Sequence, residues 1–138
     1  MFFGVENPYI NLPSGPQWLN GTLDDVSIWN RALSPSQVLE LYNNTSVCST
    51  PDIPSSLSNG LVGYWSFCAN TNDVGNYNLQ TTNNGGEYVS DRFGNPDAAI
   101  YLSTDNWIEV DHDDVLNFSQ NPYSLSTWVK KEVSGPSN

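Results

Sequence analysis

Two adjacent carboxylates, Asp24 and Asp25, are the strongest candidates for chemistry in this sequence. They lie in a segment that alternates like a β-strand, so the two side chains are expected on opposite faces of that strand. Calcium takes about six to eight oxygen ligands, and neighbouring carboxylates supply such oxygens. The alternative interpretation is that both are solvated carboxylates that discourage pairing at a strand edge.

A second acidic group surrounds the one histidine, in the run from Asp111 to Asp114. Glycoside hydrolysis needs two carboxylates about 5–10 Å apart whose pKa values differ. Consecutive loop residues do not fix that geometry, so we interpret the run as a polar turn between Trp107–Val110 and Val115-Leu116. We therefore expect a protein that is not an enzyme.

The sulfur ligands are limited to Cys48 and Cys68, apart from Met1. No pair of cysteines or histidines has the spacing of a zinc site, and a tetrahedral site would need carboxylates to complete it. Two interpretations are open: two buried thiols, or one disulfide. A disulfide would close a loop of about 20 residues and stabilise the fold by about 3 kcal/mol.

The charge balance excludes several partners. The chain has 138 residues, with 15 acidic and 4 basic side chains, for a net charge of −11. Four basic residues cannot neutralise a nucleic-acid backbone, and an anionic membrane surface is disfavoured for the same reason. No apolar run approaches the roughly 20 residues that span a bilayer, so no membrane insertion is expected. A divalent cation or a neutral glycan remains compatible.

Short alternating segments separated by polar turns predict an all-β fold. Strands are predicted over residues 23–30, 61–67, 77–82, 87–89, 98–102, 107–110 and 123–129. In the first of these, Asp24, Val26 and Ile28 should share one face. Trp65 and Trp128 are expected in the core.

One short helix is predicted after Ser34. Ser34 can cap it, Pro35 suits its first position, and Gln37 can complete a capping box. An apolar face of Val38, Leu39, Leu41 and Tyr42 should follow, and Asn43-Asn44 should end the helix. Residues 46–59, rich in proline and serine, are interpreted as a linker between residues 1–45 and 60–138.

Two segments carry a family resemblance. Residues 20–34, NGTLDDVSIWNRALS, resemble the closing strand and following helix of the laminin-G-like, concanavalin A-like lectin/glucanase superfamily, in its bacterial tandem-repeat form. Residues 60–67, GLVGYWSF, resemble its opening strand, and DRFGN at 91–95 follows as in the family. The resemblance implies an antiparallel jelly-roll sandwich, incomplete or permuted, with one short helix.

The closing segment precedes the opening one, which predicts a fragment across the seam of two repeats; a circular permutation is the runner-up. Residues 1–45 would end one repeat, and residues 60–138 would begin the next. Because nothing else in the chain can cover their apolar faces, strands 23–30 and 61–67 are expected in one sheet. The absent middle strands should leave exposed strand edges and a tendency to associate.

The resemblance also implies a structural calcium ion. An aspartate at the position of Asp24 would hold it beside the opening strand, with Asp73 as its partner. Asp25 and Asn76 complete the expected ligand set.

The implied function is a carbohydrate-binding or adhesion module of a secreted or cell-surface multi-repeat protein. Its partners would be a glycan or a cell-surface protein, and neighbouring repeats of the same parent chain. The alternatives are an appendage or fragment of a glycoside hydrolase that is not itself catalytic, and a structural spacer of an adhesin. The first residues lack the pattern of a secretion signal, so we expect that signal outside this chain.

Overall fold

The computed structural model describes residues 1–5, 18–44, 48, 53–119 and 121–132. Within these residues the protein forms two antiparallel sheets and one α-helix, which confirms the prediction of an all-β sandwich with one short helix. No helix in this part of the chain combines the length and the apolar character needed to cross a bilayer.

Eight strands and one helix follow one another within the described residues. They are β1 (Phe2–Phe3), β2 (Gly21–Trp29), α1 (Pro35–Asn43), β3 (Leu61–Trp65), β4 (Thr81–Asn84), β5 (Glu87–Val89), β6 (Ala99–Leu102), β7 (Trp107–Val110) and β8 (Ser124–Lys131). Short 3₁₀ turns occupy Ser55–Leu57 and Asp114–Leu116. The predicted strand 77–82 is wrong at its start, because residues before Thr81 turn back towards Asp73 instead of joining a ladder.

Strand β2 organises the larger sheet. Its first half pairs with β6 and its second half with β3, while β8 runs along nearly its whole length on the other edge. Val26 lies opposite Trp65 in the β2–β3 pair, so the predicted placement of both segments in one sheet is confirmed. The smaller sheet has the order β1-β7-β4.

A β-bulge interrupts β2 at its centre. Asp24 pairs with Trp128 and Ser27 with Ser126, so two residues of β2 oppose the single Thr127. Asp25 takes the left-handed conformation there, with φ of 52°. Such a bulge shifts the alternation by one residue. The predicted sharing of one face by Asp24, Val26 and Ile28 is therefore wrong.

The bulge allows apolar residues on both sides of Asp24 and Asp25 to reach the core between the sheets. Leu23, Val26 and Ile28 are all buried in it. The other buried members are Phe3, Val62, Trp65, Phe67, Leu79, Ile100, Leu102, Ile108 and Val110. The prediction of a core position for Trp65 is confirmed.

A second apolar cluster lies on the opposite face of the larger sheet. Trp29, Leu57, Leu61 and Tyr64 form it, and Ile53 packs against it. The Trp29 indole N–H donates to the Leu57 carbonyl over 2.8 Å. Residues 53–57, within the segment interpreted as a linker, therefore pack on the sheet, and residues 46, 47 and 49–52 lie outside the described residues. The division of the chain at this segment stays a prediction.

Helix α1 begins as its sequence predicts. The Ser34 side chain accepts from the Gln37 backbone N–H, the Gln37 side chain accepts from the Ser34 N–H, and the helix ends at Asn43. Its apolar face, however, is largely uncovered: Val38, Leu39 and Tyr42 are more than half exposed.

Cys48 and Cys68 form a disulfide, with Cα atoms 5.3 Å apart. This confirms the interpretation of the two cysteines as one disulfide rather than as two buried thiols. The bond joins the segment after α1 to the end of β3, so it holds the two parts of the chain beside the same sheet.

We predict that Leu57→Ala lowers the free energy of unfolding by about 2–4 kcal/mol, because the substitution leaves a cavity at a fully buried position. Denaturant unfolding of the two proteins measures the difference. Leu39→Ala is the matched control, since Leu39 is 59% exposed, and its effect should stay within about 0.5 kcal/mol. Equal effects of the two substitutions would show that residues 53–57 do not stabilise the fold.

Candidate functional site

The candidate site lies on the outer face of the larger sheet. Helix α1 and residues 53–57 cover the part of this face that holds Trp29 and Tyr64. The adjoining part, near the bulge, carries the acidic pair and an open cleft. The bulge is what brings both carboxylates to this face.

The guanidinium of Arg92 binds both carboxylates of the pair. Its Nη1 lies 2.6 Å from Oδ2 of Asp24 and 3.0 Å from Oδ2 of Asp25. Oδ1 of Asp25 accepts from the Tyr64 hydroxyl over 2.7 Å. The Asp24 side chain is 9% exposed and the Arg92 side chain 21%, so the Asp24–Arg92 pair is mostly removed from water.

Aromatic rings also hold Arg92. Its guanidinium carbon lies 4.4 Å from the ring centroid of Phe93 and 4.5 Å from that of Trp128, distances typical of cation–π contacts. Nη2 donates to the carbonyl of Asn44. Trp128 is half-buried on this outer face, so its predicted core position is wrong.

The turn that carries Arg92 is closed by Asp91. The Asp91 carboxylate accepts from the backbone N–H groups of Phe93 and Asn95 and from the Asn95 side chain. Although partial burial of Asp91 acts in the opposite direction, these hydrogen bonds and the one with Gly94 hold its pKa below the ordinary value. The turn therefore presents Arg92 in a fixed position.

Burial and the neighbouring Asp25 carboxylate raise the pKa of Asp24 to about 7, and the charge of Arg92 opposes that rise. One guanidinium is shared between two carboxylates, so its charge does not balance both. Asp24 consequently titrates near neutral pH.

Asp73, the expected partner of Asp24 at a calcium ion, accepts hydrogen bonds from backbone N–H groups. Its Oδ1 accepts from the backbone N–H groups of Tyr64 and Gly75, and its Oδ2 from that of Leu79, over 2.7–2.9 Å. A side chain on Gly75 would collide with this carboxylate and with the backbone of Gly63. Asp73 thus ties its loop to β3.

The four residues of the predicted calcium set do not fit a single ion. Three N–H donors occupy the Asp73 carboxylate, and Arg92 lies against both Asp24 and Asp25. The Asn76 side-chain amide donates to the Ser58 and Leu61 carbonyls, on the loop side of β3. The described residues contain no group of three or more acidic, histidine or cysteine side chains that could hold a metal. Calcium binding at these residues is the alternative to stabilisation by Arg92, and melting with and without a chelator distinguishes the two.

An open cleft of about 400 Å³ lies beside the acidic pair. It runs between β2, β6, β8 and the turn that carries Arg92. Its polar wall includes Asp24, Asp91, Arg92, Lys130 and Glu132, and Tyr101 and Trp128 add aromatic surface. The cleft therefore offers hydrogen-bond donors and acceptors next to apolar surface.

Sequence reasoning named the acidic pair but not its partner. Arg92 is one of only four basic residues in a chain of charge −11, and that scarcity is the signal that could have identified it. The group from Asp111 to Asp114 is exposed, and the Asp113 carboxylate accepts from the Val115 N–H at the start of a 3₁₀ turn. Its interpretation as a polar turn is confirmed.

We predict that Asp24 makes folding stability decrease as pH rises from about 4 to about 7. The native pKa of Asp24 lies above the ordinary 3.8, so between these values the native state binds more protons than the unfolded state. Ionisation in that range therefore lowers the free energy of unfolding, by at most about 1.4 kcal/mol per pH unit.

The measurement is the difference in unfolding free energy between wild type and Asp24→Asn across pH. This difference should fall up to about pH 7 and then level off. Asp111→Asn, at an exposed turn position, is the control for the substitution itself. A difference that is flat across the range would contradict the elevated pKa.

We also predict that Arg92, rather than an added cation, stabilises the acidic pair. Arg92→Ala should lower the free energy of unfolding at pH 8 by about 2–4 kcal/mol, because it leaves a buried carboxylate without its partner. Arg31→Ala is the matched control, since Arg31 donates to carbonyl and amide oxygens. The wild-type melting temperature should be the same with calcium and with a chelator. A midpoint lowered by the chelator would support the calcium prediction instead.

Comparisons with known proteins identify no relative: no family model, no curated protein and no solved structure matches the chain.

Proposed function

We propose that this chain is a carbohydrate-binding module of a secreted or cell-surface protein, with the cleft beside Arg92 as its binding site. The observation that carries the proposal is the cleft itself. It places carboxylates, a guanidinium and an ammonium group next to the rings of Tyr101 and Trp128. Sugars present hydroxyl groups at the ring edge and C–H groups on the ring face, so they need both kinds of surface.

The polar groups are arranged for hydroxyl recognition. Asp91 and Arg92 are held by hydrogen bonds and ring contacts, so they need little ordering when a ligand arrives. Lys130 is 77% exposed on its side chain and pairs with Glu132 at the rim of the cleft. Asp91 and Arg92 thus provide fixed hydrogen-bonding groups in the wall of the cleft, and Lys130 and Glu132 provide mobile ones at its rim. This combination suits a ligand that is rich in hydroxyl groups.

The charge favours a neutral or weakly charged glycan. A chain of charge −11 repels polyanions at long range. Within the cleft, the acidic residues Asp24, Asp91 and Glu132 are interleaved with Arg92 and Lys130. An uncharged ligand meets no net repulsion there, and it can use both signs of charge as hydrogen-bond partners.

The proposal includes a secreted or cell-surface location. The Cys48–Cys68 disulfide is typical of proteins from oxidising environments. The resemblance of residues 20–34 and 60–67 to the laminin-G-like superfamily supports a binding role in the same direction, and it supports neighbouring repeats as part of the parent protein.

A glycan array probed with the purified, oxidised chain tests the proposal, followed by calorimetry with any sugar that binds. We predict that Lys130→Ala and Tyr101→Ala each weaken binding by at least about tenfold. Tyr77→Ala is the control, because Tyr77 is half exposed and lies outside the cleft. Melting curves of each variant show that the fold is kept.

Absence of binding to any sugar at high protein concentration would contradict the proposal and favour the role of a spacer repeat. Binding that survives both cleft substitutions would place the site elsewhere on the chain. Sugar hydrolysis during prolonged incubation would contradict the expectation that the protein is not an enzyme and would favour the glycoside-hydrolase alternative.

A further inference from the structure

Strand β8 (Ser124–Lys131) leaves one of its edges open. Within the described residues β8 pairs with β2 alone, along Gly21–Trp29. At eight residues it is longer than β5, the other strand that ends this sheet beyond β6. A long edge strand with unpaired N–H and C=O groups is a template for another strand.

The end of the sheet at β3 is closed in a different way. The loop that begins at Asp73 binds the free edge of β3: Asp73 accepts from the Tyr64 N–H, the Val74 N–H donates to the Tyr64 carbonyl, and Asn76 donates to the Leu61 carbonyl. No comparable loop binds β8 in the described residues. Within the described residues, one edge of the sheet is thus protected and the other is available.

The inner face of β8 is apolar and open to solvent. Residues paired directly across two strands lie on the same face, so Leu125 shares the face of Ile28, and Val129 that of Leu23. Ile28 and Leu23 are 1% and 6% exposed, whereas Leu125 and Val129 are 55% and 54% exposed. The core therefore stops at β2, and β8 extends beyond the cover of the smaller sheet.

We propose that a second copy of this chain occupies the edge of β8, with the two β8 strands antiparallel about a two-fold axis at Thr127. The sequence of β8 is complementary to itself in this register. Leu125 of each copy lies opposite Val129 of the other, so an apolar pair forms on either side of the axis. An isologous contact of this kind closes as a dimer.

Charge is compatible with this pairing. Residues 115–131 contain no acidic side chain in a chain of charge −11, so the contact brings no carboxylates of the two strands together. Lys130 of each copy lies opposite Ser124 of the other, which places the two Lys130 side chains at opposite ends of the ladder. They are about 20 Å apart along the strands, more than twice the screening length of about 8 Å at physiological salt.

Sedimentation or light scattering across a concentration series tests the proposal on the oxidised chain. We expect a monomer–dimer equilibrium whose Kd falls as salt is raised, because salt screens the repulsion between two copies of charge −11. A monomer at every concentration and salt would overturn the proposal. Open-ended growth beyond the dimer would overturn the two-fold arrangement.

Leu125→Lys should weaken the dimer by at least about tenfold, because it places charges beside Val129 at both ends of the apolar contact. Leu125 is more than half exposed in the single chain, so its unfolding curve should change little. Val74→Lys, at a position 44% exposed in the Asp73 loop, is the control and should leave the dimer unchanged. Equal weakening by both substitutions would show general charge repulsion rather than a contact through β8.

Cysteine cross-linking tests the register independently. Thr127→Cys lies on the axis, so the two new thiols should form a disulfide between copies in mild oxidant. Ser124→Cys faces Lys130 of the other copy and should not cross-link to itself. A dimer that cross-links through position 124 and not 127 would overturn the register.

Discussion

The fold depends on the bulge at the centre of β2. A regular strand would place Leu23 and Val26 on opposite faces, and one of them would then lie outside the core. The left-handed backbone at Asp25 inserts one residue, so Leu23, Val26 and Ile28 are all buried between the sheets. Aspartate accepts that conformation more readily than bulky or β-branched residues do. The same insertion turns Asp24 and Asp25 to the outer face, where the candidate site is built.

Two adjacent carboxylates that are largely removed from water require a counter-charge, and Arg92 supplies it from the turn before β6. A guanidinium suits this position because it binds two oxygens in its plane while its faces pack on Phe93 and Trp128. One positive charge between two carboxylates is not full compensation, so the pKa of Asp24 rises to about 7. The electrostatics of the cleft consequently change close to neutral pH, through a group that lines it.

Local signals in the sequence predicted much of the fold. The capping box from Ser34 to Gln37, the alternation of β7 and β8, and the single pair of cysteines each depend on few residues, and each is found as expected. The bulge was missed because alternation over residues 22–29 is satisfied almost as well with a straight strand. The family resemblance placed Asp73 at a calcium ion, and no local pattern in the sequence shows that its carboxylate accepts from three backbone N–H groups. The Arg92 contacts join positions 68 residues apart, and no local pattern carries that information.

The two edges of the larger sheet differ in whether their backbone N–H and C=O groups have hydrogen-bond partners. At β3, Asp73 and its loop provide partners for the strand edge, and the disulfide joins Cys68, just beyond that strand, to the segment after α1. At β8 no described residue pairs with the second edge, and Leu125 and Val129 are more than half exposed. Because β8 also supplies Trp128 and Lys130 to the cleft, anything that pairs with its edge would order one wall of that cleft. If a second copy pairs along β8 and a ligand binds beside Arg92, as proposed, both would reduce the freedom of the same eight residues, and each would favour the other.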